Sequence, residues 1–420
     1  MSLYQQKDKF KVIKSHEKYF IKFKSIMKIN KNAKLTFEDL SLAEFQQGDI
    51  ANCGLIATLA AISQRPEFYT EISPKVEQTS ESIKFRFNMF YKGKPVTVRI
   101  DDKLPFVGNL SDDKFSLIYA RSAENDNSYL ASFFEKAFVK QACFKSYDHS
   151  VGIDPLFVFS VFSDCLTSCS AWFESDSKHN VLDILKFEVD NGSSIVMSIR
   201  PDLNYKLGDT FEAGHAYAVM DYNLEHKAIK LYNPNVFTKH CYKNLPLSFT
   251  EKADQNKGEL WINLDQLKNR IVFIDSLCSK NMYKSIFQVN KIFKPINTDK
   301  HYSIVKYACK VDIKQASMFI ISLFSYVHKI EDFLLSVCTV DNERQNVELE
   351  DEIPRLDLYN ENQNKGEAKF RCHRRFRLKP NKYVFHFEIK INEVNLKYVY
   401  LLLKIGSVSE CFFEEIKKEN

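Results

Sequence analysis

Two distant stretches of the chain carry side chain types that together perform nucleophilic catalysis. Cys53 follows a glycine-containing loop and begins a helical pattern, with Gln47 six residues before it. A thiol in the first turn of a helix meets the positive end of the helix dipole and unpaired backbone N–H groups, and both favour the thiolate. Since free cysteine is more often a small buried hydrophobic residue, Cys53 needs partners elsewhere in the chain to be a nucleophile.

Those partners are found in a predicted β-hairpin that carries His215 and Asn233. Segments 214–222 and 227–233 read as two strands joined by a polar turn. A hairpin that turns near residue 224 or 225 places position 215 opposite 233 or 234, which brings the two side chains to one face. An amide oxygen that accepts one imidazole N–H orients the ring and leaves its other nitrogen for a nucleophile. The alternative is a sheet histidine satisfied by a neighbour; the flanking Gly214, which permits close approach, weakens it.

The elements that position these residues follow from hydrophobic periodicity. Helical spacing of Leu55, Ile56, Leu59 and Ile62 predicts a helix with one buried face, and Asn52 is a residue type that caps a helix by accepting from first-turn N–H groups. Further helices are predicted at 128–144, 155–173 and 180–190, and strands at 83–91, 96–100, 194–199 and 258–264. The Lys-rich residues 1–40 predict an amphipathic helix that packs on the first domain, with binding to a membrane surface as the less favoured alternative.

The pattern changes in the C-terminal third of the chain. After a predicted connector at 275–300, short alternating strands recur between turns, at 302–311, 316–325, 333–340, 368–371, 383–391 and 398–405. Residues 341–367, rich in Asn, Glu and Asp, are predicted to form a long surface loop. Together these features predict an antiparallel β-sandwich of about eight strands.

Composition limits the function classes. The 420 residues are 45% hydrophobic and 27% charged, which is typical of a globular protein of about two or three domains. Lys and Glu are interleaved and the net charge is only +5, so a nucleic-acid partner is not expected. The absence of an apolar leader and of any run of 18 apolar residues predicts a cytoplasmic protein without a transmembrane segment. The ten cysteines are scattered, so reduced thiols are expected, and the close pair Cys165 and Cys169 lacks two further zinc ligands.

The residues singled out above resemble the catalytic boxes of the calpains, which are cytosolic papain-like cysteine proteases. Segment 47–53 resembles the cysteine box, 214–219 the histidine box and 231–234 the asparagine box. Three lesser matches stand in the family's order, at 98–105, 134–140 and 258–261. Order and spacing agree over residues 40–275, about the length of a calpain protease core.

The resemblance implies an α+β fold with a papain-like, two-lobed core. Residues 41–180 would form the helical lobe with Cys53, and residues 181–279 the β-rich lobe with His215 and Asn233, so that the active site lies in the cleft between them. Residues 1–40 would be a helical extension. Residues 280–420 are weakly similar to the C2-like β-sandwich (domain III) that follows the core in calpains. The sequence contains no loop of EF-hand type, so the resemblance is to an atypical, short form.

The resemblance also implies roles for the site residues. Cys53 would be the thiolate nucleophile, His215 the base and then the general acid, and Asn233 the residue that orients the imidazole. Gln47 and the backbone N–H of Cys53 would stabilise the oxyanion. The reaction would be hydrolysis of internal peptide bonds in protein substrates through a thioester acyl-enzyme, with no cofactor required.

Calcium is the one metal that the resemblance brings into consideration. Glu44, nine residues before the cysteine, stands where calpains have an acidic ligand of the first core site, and Asp154 is a candidate partner for it. The family's second core site is expected to be absent, because the stretch that bears its carboxylates has no counterpart in 237–257. A solvated carboxylate is the alternative reading of Glu44.

A second function remains open beside the peptidase. The chain has Gly54 where calpains have Trp after the nucleophile, and Asn235-Val236 where they have Trp-Gly after Asn-Pro. These departures also fit a catalytically impaired, calpain-like scaffold that binds protein partners or phospholipid through the C-terminal sandwich. Labelling of Cys53 by a thiol reagent discriminates between the two.

Overall fold

The computed structural model describes residues 20–35, 45–79, 82–108, 115–122, 127–142, 146–172, 181–199, 214–235, 258–264, 272–279, 281–297, 303–325, 330–339, 349–352, 370–391 and 399–416. The helices are α1 (Ile26–Ile29), α2 (Cys53–Ser63), α3 (Pro66–Ile72), α4 (Leu130–Gln141), α5 (Pro155–Phe162) and α6 (Val181–Asp190), and a 3-10 helix spans Tyr147–Ser150. The strands of the first part are β1 (Phe20–Ser25), β2 (Lys75–Gln78), β3 (Ile83–Tyr91), β4 (Lys94–Asp101), β5 (Lys103–Gly108), β6 (Phe115–Leu117), β7 (Thr167–Trp172), β8 (Ser194–Ile199), β9 (Ala216–Asn223), β10 (Ala228–Tyr232), β11 (Glu259–Asn263) and β12 (Val272–Leu277). The C-terminal strands are β13 (Ser285–Phe293), β14 (Ile296–Asn297), β15 (Ser303–Ile313), β16 (Ser317–Ser325), β17 (Ile330–Thr339), β18 (Leu349–Glu352), β19 (Phe370–Leu378), β20 (Asn381–Ile391), β21 (Val399–Ser407) and β22 (Cys411–Glu415).

Helix α2 begins at Cys53, as predicted, and is buried on nearly all sides rather than on one face. Ten of its residues, from Cys53 to Ile62, are buried, because the helix packs between α5 and strands β8 and β9. It ends at Ser63, and α3 starts with Pro66 at a first-turn position where proline's missing N–H costs nothing. A helix enclosed in this way holds its first residue at a fixed position.

A six-stranded antiparallel sheet, in the order β11-β10-β9-β8-β12-β7, carries the predicted hairpin. Strand β7 precedes the predicted lobe boundary at 180/181 but pairs in this sheet with β12. The predicted hairpin register is wrong by one to three residues, because the turn lies at 224–227, one residue later than predicted, and a bulge follows Lys230. Tyr232 lies opposite Ala218, which makes Asn233 a diagonal neighbour of His215 on one face rather than its direct opposite.

Three predicted elements differ from the structure. The helix predicted for 1–40 is wrong at 20–25, where β1 pairs antiparallel with β5; residues 1–19 lie outside the described part. The helix predicted for 155–173 ends at Phe162, and Thr167–Trp172 is a strand because it pairs with β12. The connector predicted at 275–300 contains β13, which pairs along its whole length with β21. In each case a strand partner distant in sequence overrides the local pattern.

The C-terminal strands form two antiparallel sheets. Their orders are β13-β21-β16-β19-β18 and β14-β15-β20-β17, with β22 beside β15. Burial alternates residue by residue along β15 and β20, and buried residues of both sheets join one hydrophobic cluster. The six strands predicted here are present with shifted ends; most of the loop predicted at 341–367 lies outside the described residues, although β18 falls within it.

Strand β21 is buried on both faces, which explains its continuous apolar run. Leu401, Leu403 and Ile405 belong to the cluster between the two C-terminal sheets. The alternate residues face the N-terminal part of the protein: the Lys404 ammonium donates to the backbone carbonyls of Asp164 and Cys165. A loop that leads into β7 is thereby held directly against the C-terminal sheet.

Candidate active site

The structure brings the Cys53 thiol against His215. Cys53 is 8% exposed, and its sulfur is hydrogen-bonded by the His215 ring and by the backbone N–H groups of Ala216 and Gly54. Burial acts to raise the pKa of this thiol, but the charge and hydrogen bond of His215, with the two N–H groups, outweigh burial and lower the pKa below its ordinary value. A thiolate beside an imidazolium is the activated nucleophile of cysteine-dependent acyl transfer.

Asn233 fixes the other side of the imidazole. Nε2 of His215 lies 2.7 Å from Oδ1 of Asn233, and both side chains are buried. The Asn233 amide is itself held by Asn235, since Nδ2 donates to the Asn235 carbonyl at 2.8 Å and Oδ1 accepts from the Asn235 N–H at 2.9 Å. Oδ1 therefore faces the ring, Nε2 must donate to it, and Nδ1 is left for the thiol.

The two hydrogen bonds between Asn235 and the Asn233 amide reduce the importance of the departure from the calpain pattern at position 235. They come from its main chain, so they do not depend on the residue type at this position. The backbone N–H of Asn233 also donates to the Gly258 carbonyl at 2.8 Å, which anchors the end of β10 to the start of β11. The orientation of Asn233 is thus determined locally; Val236 lies outside the described residues.

Gln47 lies on a loop that is tied to the asparagine segment. Its backbone N–H donates to the Pro234 carbonyl at 2.8 Å, and its side chain Nε2 donates to the Ile50 carbonyl at 2.7 Å. The amide nitrogen carries a second hydrogen, which the Ile50 carbonyl does not use. Gln47 is therefore held between the elements of Cys53 and Asn233.

Packing explains why position 54 is a glycine in this chain. A Cβ atom built on Gly54 would lie 1.9 Å from the backbone oxygen of Ile153, far inside any van der Waals contact. The loop before α5 therefore occupies the space that a side chain at position 54 needs. The departure from the family pattern here is matched by the position of that loop, and the N–H of Gly54 still reaches the sulfur of Cys53.

Asn52 does not cap α2 through its side chain, which corrects the sequence-based prediction. It occupies the N-cap position, but its Nδ2 donates to Oε1 of Glu135 at 2.6 Å. Oε2 of the same carboxyl accepts from the backbone N–H of Ala120 at 3.1 Å. Glu135 is 1% exposed, and burial raises its pKa to about 7 against the lowering effect of both hydrogen bonds.

Sequence reasoning missed Glu135 as part of the site. The available signal was a charged pair, Glu135 and Lys136, inside a strongly apolar helical pattern. Both prove to be buried, and Lys136 forms an ion pair with Asp101 at the end of β4.

Of the two calcium candidates, the structure describes only Asp154. Oδ1 of Asp154 accepts from the Leu156 N–H at 2.8 Å and so caps α5, while Glu44 lies outside the described part of the chain. Within that part, no group of three or more His, Cys, Asp or Glu side chains is arranged to hold a metal ion. Among the same residues, none of the helices has the length and apolar character needed to cross a membrane.

A cysteine at a helix start, a histidine and an asparagine in one hydrogen-bonded series define the class of site found in papain-like thiol hydrolases. The model of the calpain family cysteine proteases matches residues 2–275. The chain therefore belongs to the calpain family.

Individual calpains are similar at a modest level. Calpain-A of Drosophila melanogaster is 27% identical over 197 residues, which is 46% of this chain and 22% of that protein. Calpain-5 of Mus musculus is 26% identical over 217 residues, or 48% of this chain and 33% of that protein. Calpain clp-4 of Caenorhabditis elegans is 29% identical over 193 residues, or 45% and 26%. The chain thus spans about a fifth to a third of the length of these relatives.

Proposed function

We propose that this calpain-family chain is an active cysteine endopeptidase that hydrolyses internal peptide bonds of protein substrates. The observation that carries the proposal is the hydrogen-bonded series from Cys53 through His215 to Asn233, with a 2.7 Å contact between Nε2 and Oδ1. The lowered thiol pKa and the fixed Asn233 amide support it further. Family membership alone supports a peptidase fold but does not establish turnover.

In the proposed reaction the Cys53 thiolate attacks the carbonyl carbon of the scissile bond, and the electron pair of the C=O moves to oxygen. The backbone N–H of Cys53 and the second amide hydrogen of Gln47 donate to that oxyanion. The product of this attack is a tetrahedral intermediate. When it collapses, the C–N bond breaks, the imidazolium of His215 protonates the leaving amine, and a thioester remains. Water then attacks the thioester while His215 takes its proton, and the released thiolate regains its imidazolium partner.

We further propose the finer architecture that the resemblance implies. The helical part with Cys53 and the six-stranded sheet would be the two lobes of a papain-like core, and the two C-terminal sheets a C2-like β-sandwich that contacts protein partners or phospholipid. The protein would act in the cytoplasm. Calcium binding by Glu44 with Asp154 stays a proposal, and no catalytic step is assigned to it.

The proposal is tested with the purified chain, a haloacetamide and casein, with and without added calcium. We expect rapid alkylation of Cys53 and cleavage of casein, with both lost in Cys53→Ala. Cys165→Ala is a matched control, since Cys165 is another buried cysteine that forms no disulfide, and it should change neither result. If casein and other unfolded proteins stay intact and Cys53 reacts no faster than Cys165, the peptidase proposal fails.

The catalytically impaired scaffold is the other outcome of the same test. It predicts a folded protein whose Cys53 reacts slowly, and whose binding to phospholipid vesicles or protein partners is unaffected by Cys53→Ala. The departure at Gly54 no longer favours it, because the contact with Ile153 accounts for glycine at this position.

A further inference from the structure

We propose that Glu135 is a positioning residue that fixes the loop between Gln47 and Cys53, and so holds the two oxyanion donors at a set distance from each other. The inference rests on the proposed peptidase function, because it concerns the same site. Glu135 lies on α4, outside the elements that carry the catalytic side chains, and the groups that act on the Cys53 thiol are His215, Ala216 and Gly54.

One end of the loop is held through Asn52. Its side chain Nδ2 donates to Oε1 of Glu135 at 2.6 Å and lies 3.5 Å from the Ser150 hydroxyl. Asn52 is fully buried and immediately precedes Cys53, and its carbonyl accepts the first hydrogen bonds of α2, from Leu55 and Ile56. A shift of Asn52 therefore moves the first turn of the helix, including the N–H of Cys53.

The other end of the loop is held through the Ala120 segment. The second oxygen of Glu135 accepts from the Ala120 N–H at 3.1 Å. The neighbours of Ala120 bind the loop: Arg121 exchanges two backbone hydrogen bonds with Gln46, of 2.8 and 2.9 Å, and the Ile118 carbonyl accepts from Asp49 at 2.9 Å. Residues 46–49 thus move with the Ala120 segment.

Gly48 makes this attachment close. A Cβ on Gly48 would lie 2.3 Å from both the carbonyl carbon and the oxygen of Tyr119, so the two backbones are in direct contact. Gln47 stands between Gln46 and Gly48 and has little freedom to move independently. One carboxyl group therefore links both ends of the segment that runs from Gln47 to Cys53.

Above its pKa of about 7 Glu135 is ionised and each of its two oxygens can accept from one donor, so the variants are compared above that pH. Both of its contacts are N–H donors, one from an amide side chain and one from the backbone. A glutamine at 135 can accept only one of them, and its NH2 group must then face the other donor. A buried donor without an acceptor is unfavourable, so in Glu135→Gln one end of the loop is expected to shift away from its position in the wild type.

The experiment compares Glu135→Gln with a double variant, the exchanged pair, in which Asn52→Asp is combined with Glu135→Gln. In the exchanged pair, the amide oxygen of the introduced glutamine accepts from Ala120 as before, and its NH2 group donates to the introduced aspartate, so both hydrogen bonds form and only the one between positions 52 and 135 is reversed. Glu188→Gln is the matched control, because Glu188 is also fully buried and accepts from the Ser168 hydroxyl at 3.1 Å, away from the catalytic residues. Folding of each variant is checked by circular dichroism.

Two reagents separate the oxyanion site from the thiol. A peptide aldehyde forms a tetrahedral adduct that needs the oxyanion donors, whereas a haloacetamide alkylates the thiolate without them. We expect Glu135→Gln to weaken aldehyde inhibition by about tenfold or more, on the scale of a displaced oxyanion donor, while alkylation of Cys53 changes much less. The exchanged pair should recover most of the aldehyde affinity, and Glu188→Gln should behave as the wild type.

The outcomes decide between positioning and a general role in packing. Equal aldehyde affinity in Glu135→Gln and wild type overturns the proposal. Parallel losses of aldehyde binding and alkylation, with no recovery in the exchanged pair, also overturn it, because they indicate nonspecific damage. If the wild type itself does not bind the aldehyde, the peptidase proposal fails. The positioning role of Glu135 is then tested separately, by backbone hydrogen exchange of residues 46–53. Faster exchange in Glu135→Gln than in Glu188→Gln then supports the positioning role, and equal exchange refutes it.

Discussion

The buried carboxyl of Glu135 predicts a specific pH dependence of the free energy of unfolding. Burial raises the pKa of this group from its ordinary value of 4.5 to about 7 in the folded protein. Below the lower value the group is protonated in both states. Between the two values the folded protein binds more protons than the unfolded chain, so this contribution to stability is lost as the pH rises through the window.

The magnitude follows from the two pKa values. A rise from 4.5 to about 7 corresponds to about 3 kcal/mol between the protonation states, and the group is 1% exposed, so solvent screening does not reduce it much. Glu135→Gln cannot titrate. The stability of the wild type relative to Glu135→Gln should therefore fall by up to about 3 kcal/mol as the pH is raised from 4.5 to above 7.

Urea unfolding at a series of pH values, followed by circular dichroism, measures this difference. Each variant is compared with the wild type at the same pH, so that other titrating groups cancel in the difference. Glu188→Gln gives the cost of the same substitution at a second buried site. A wild-type advantage over Glu135→Gln that is independent of pH, or that grows as the pH rises, would refute the reasoning, because either result requires that burial does not raise the pKa of Glu135.

Three further predictions concern the thiol, its helix and the C-terminal sheet. His215→Ala should move the midpoint of Cys53 alkylation to higher pH, because the charge of His215 and its hydrogen bond lower the thiol pKa; an unchanged profile contradicts the contact. Gly54→Ala should destabilise the protein in urea unfolding by about 1–3 kcal/mol, since the new Cβ would lie 1.9 Å from the Ile153 oxygen, whereas exposed helix sites gain about 1 kcal/mol from this change. Burial lowers the pKa of Lys404 from 10.5 to about 8. The wild type should therefore gain stability relative to Lys404→Met as the pH rises from 8 to 10.5, by up to about 3 kcal/mol in urea unfolding. A difference that stays constant over this range would show that the ammonium is not desolvated.

The sequence by itself was sufficient for the elements that depend on local pattern. The start of α2 at Cys53 and the hairpin that carries His215 and Asn233 were both predicted, because helical spacing and strand alternation are properties of neighbouring residues. Strand β3 and strand β8 were predicted with their observed ends for the same reason. The hairpin brought His215 and Asn233 to one face even though its register was wrong, since a diagonal pair is still within reach of long side chains.

The tertiary structure decided whatever depends on partners distant in the chain. Periodicity cannot show that Asn52 binds Glu135, a residue 83 positions away, instead of capping its own helix. It cannot show that the Ile153 carbonyl fills the space beside Gly54, or that β21 is buried on both faces with an ammonium among its apolar residues. Residues 20–25 form a strand because they pair with the edge of β5. Such contacts are set by how whole elements pack, so their physical cause appears only once the fold is assembled.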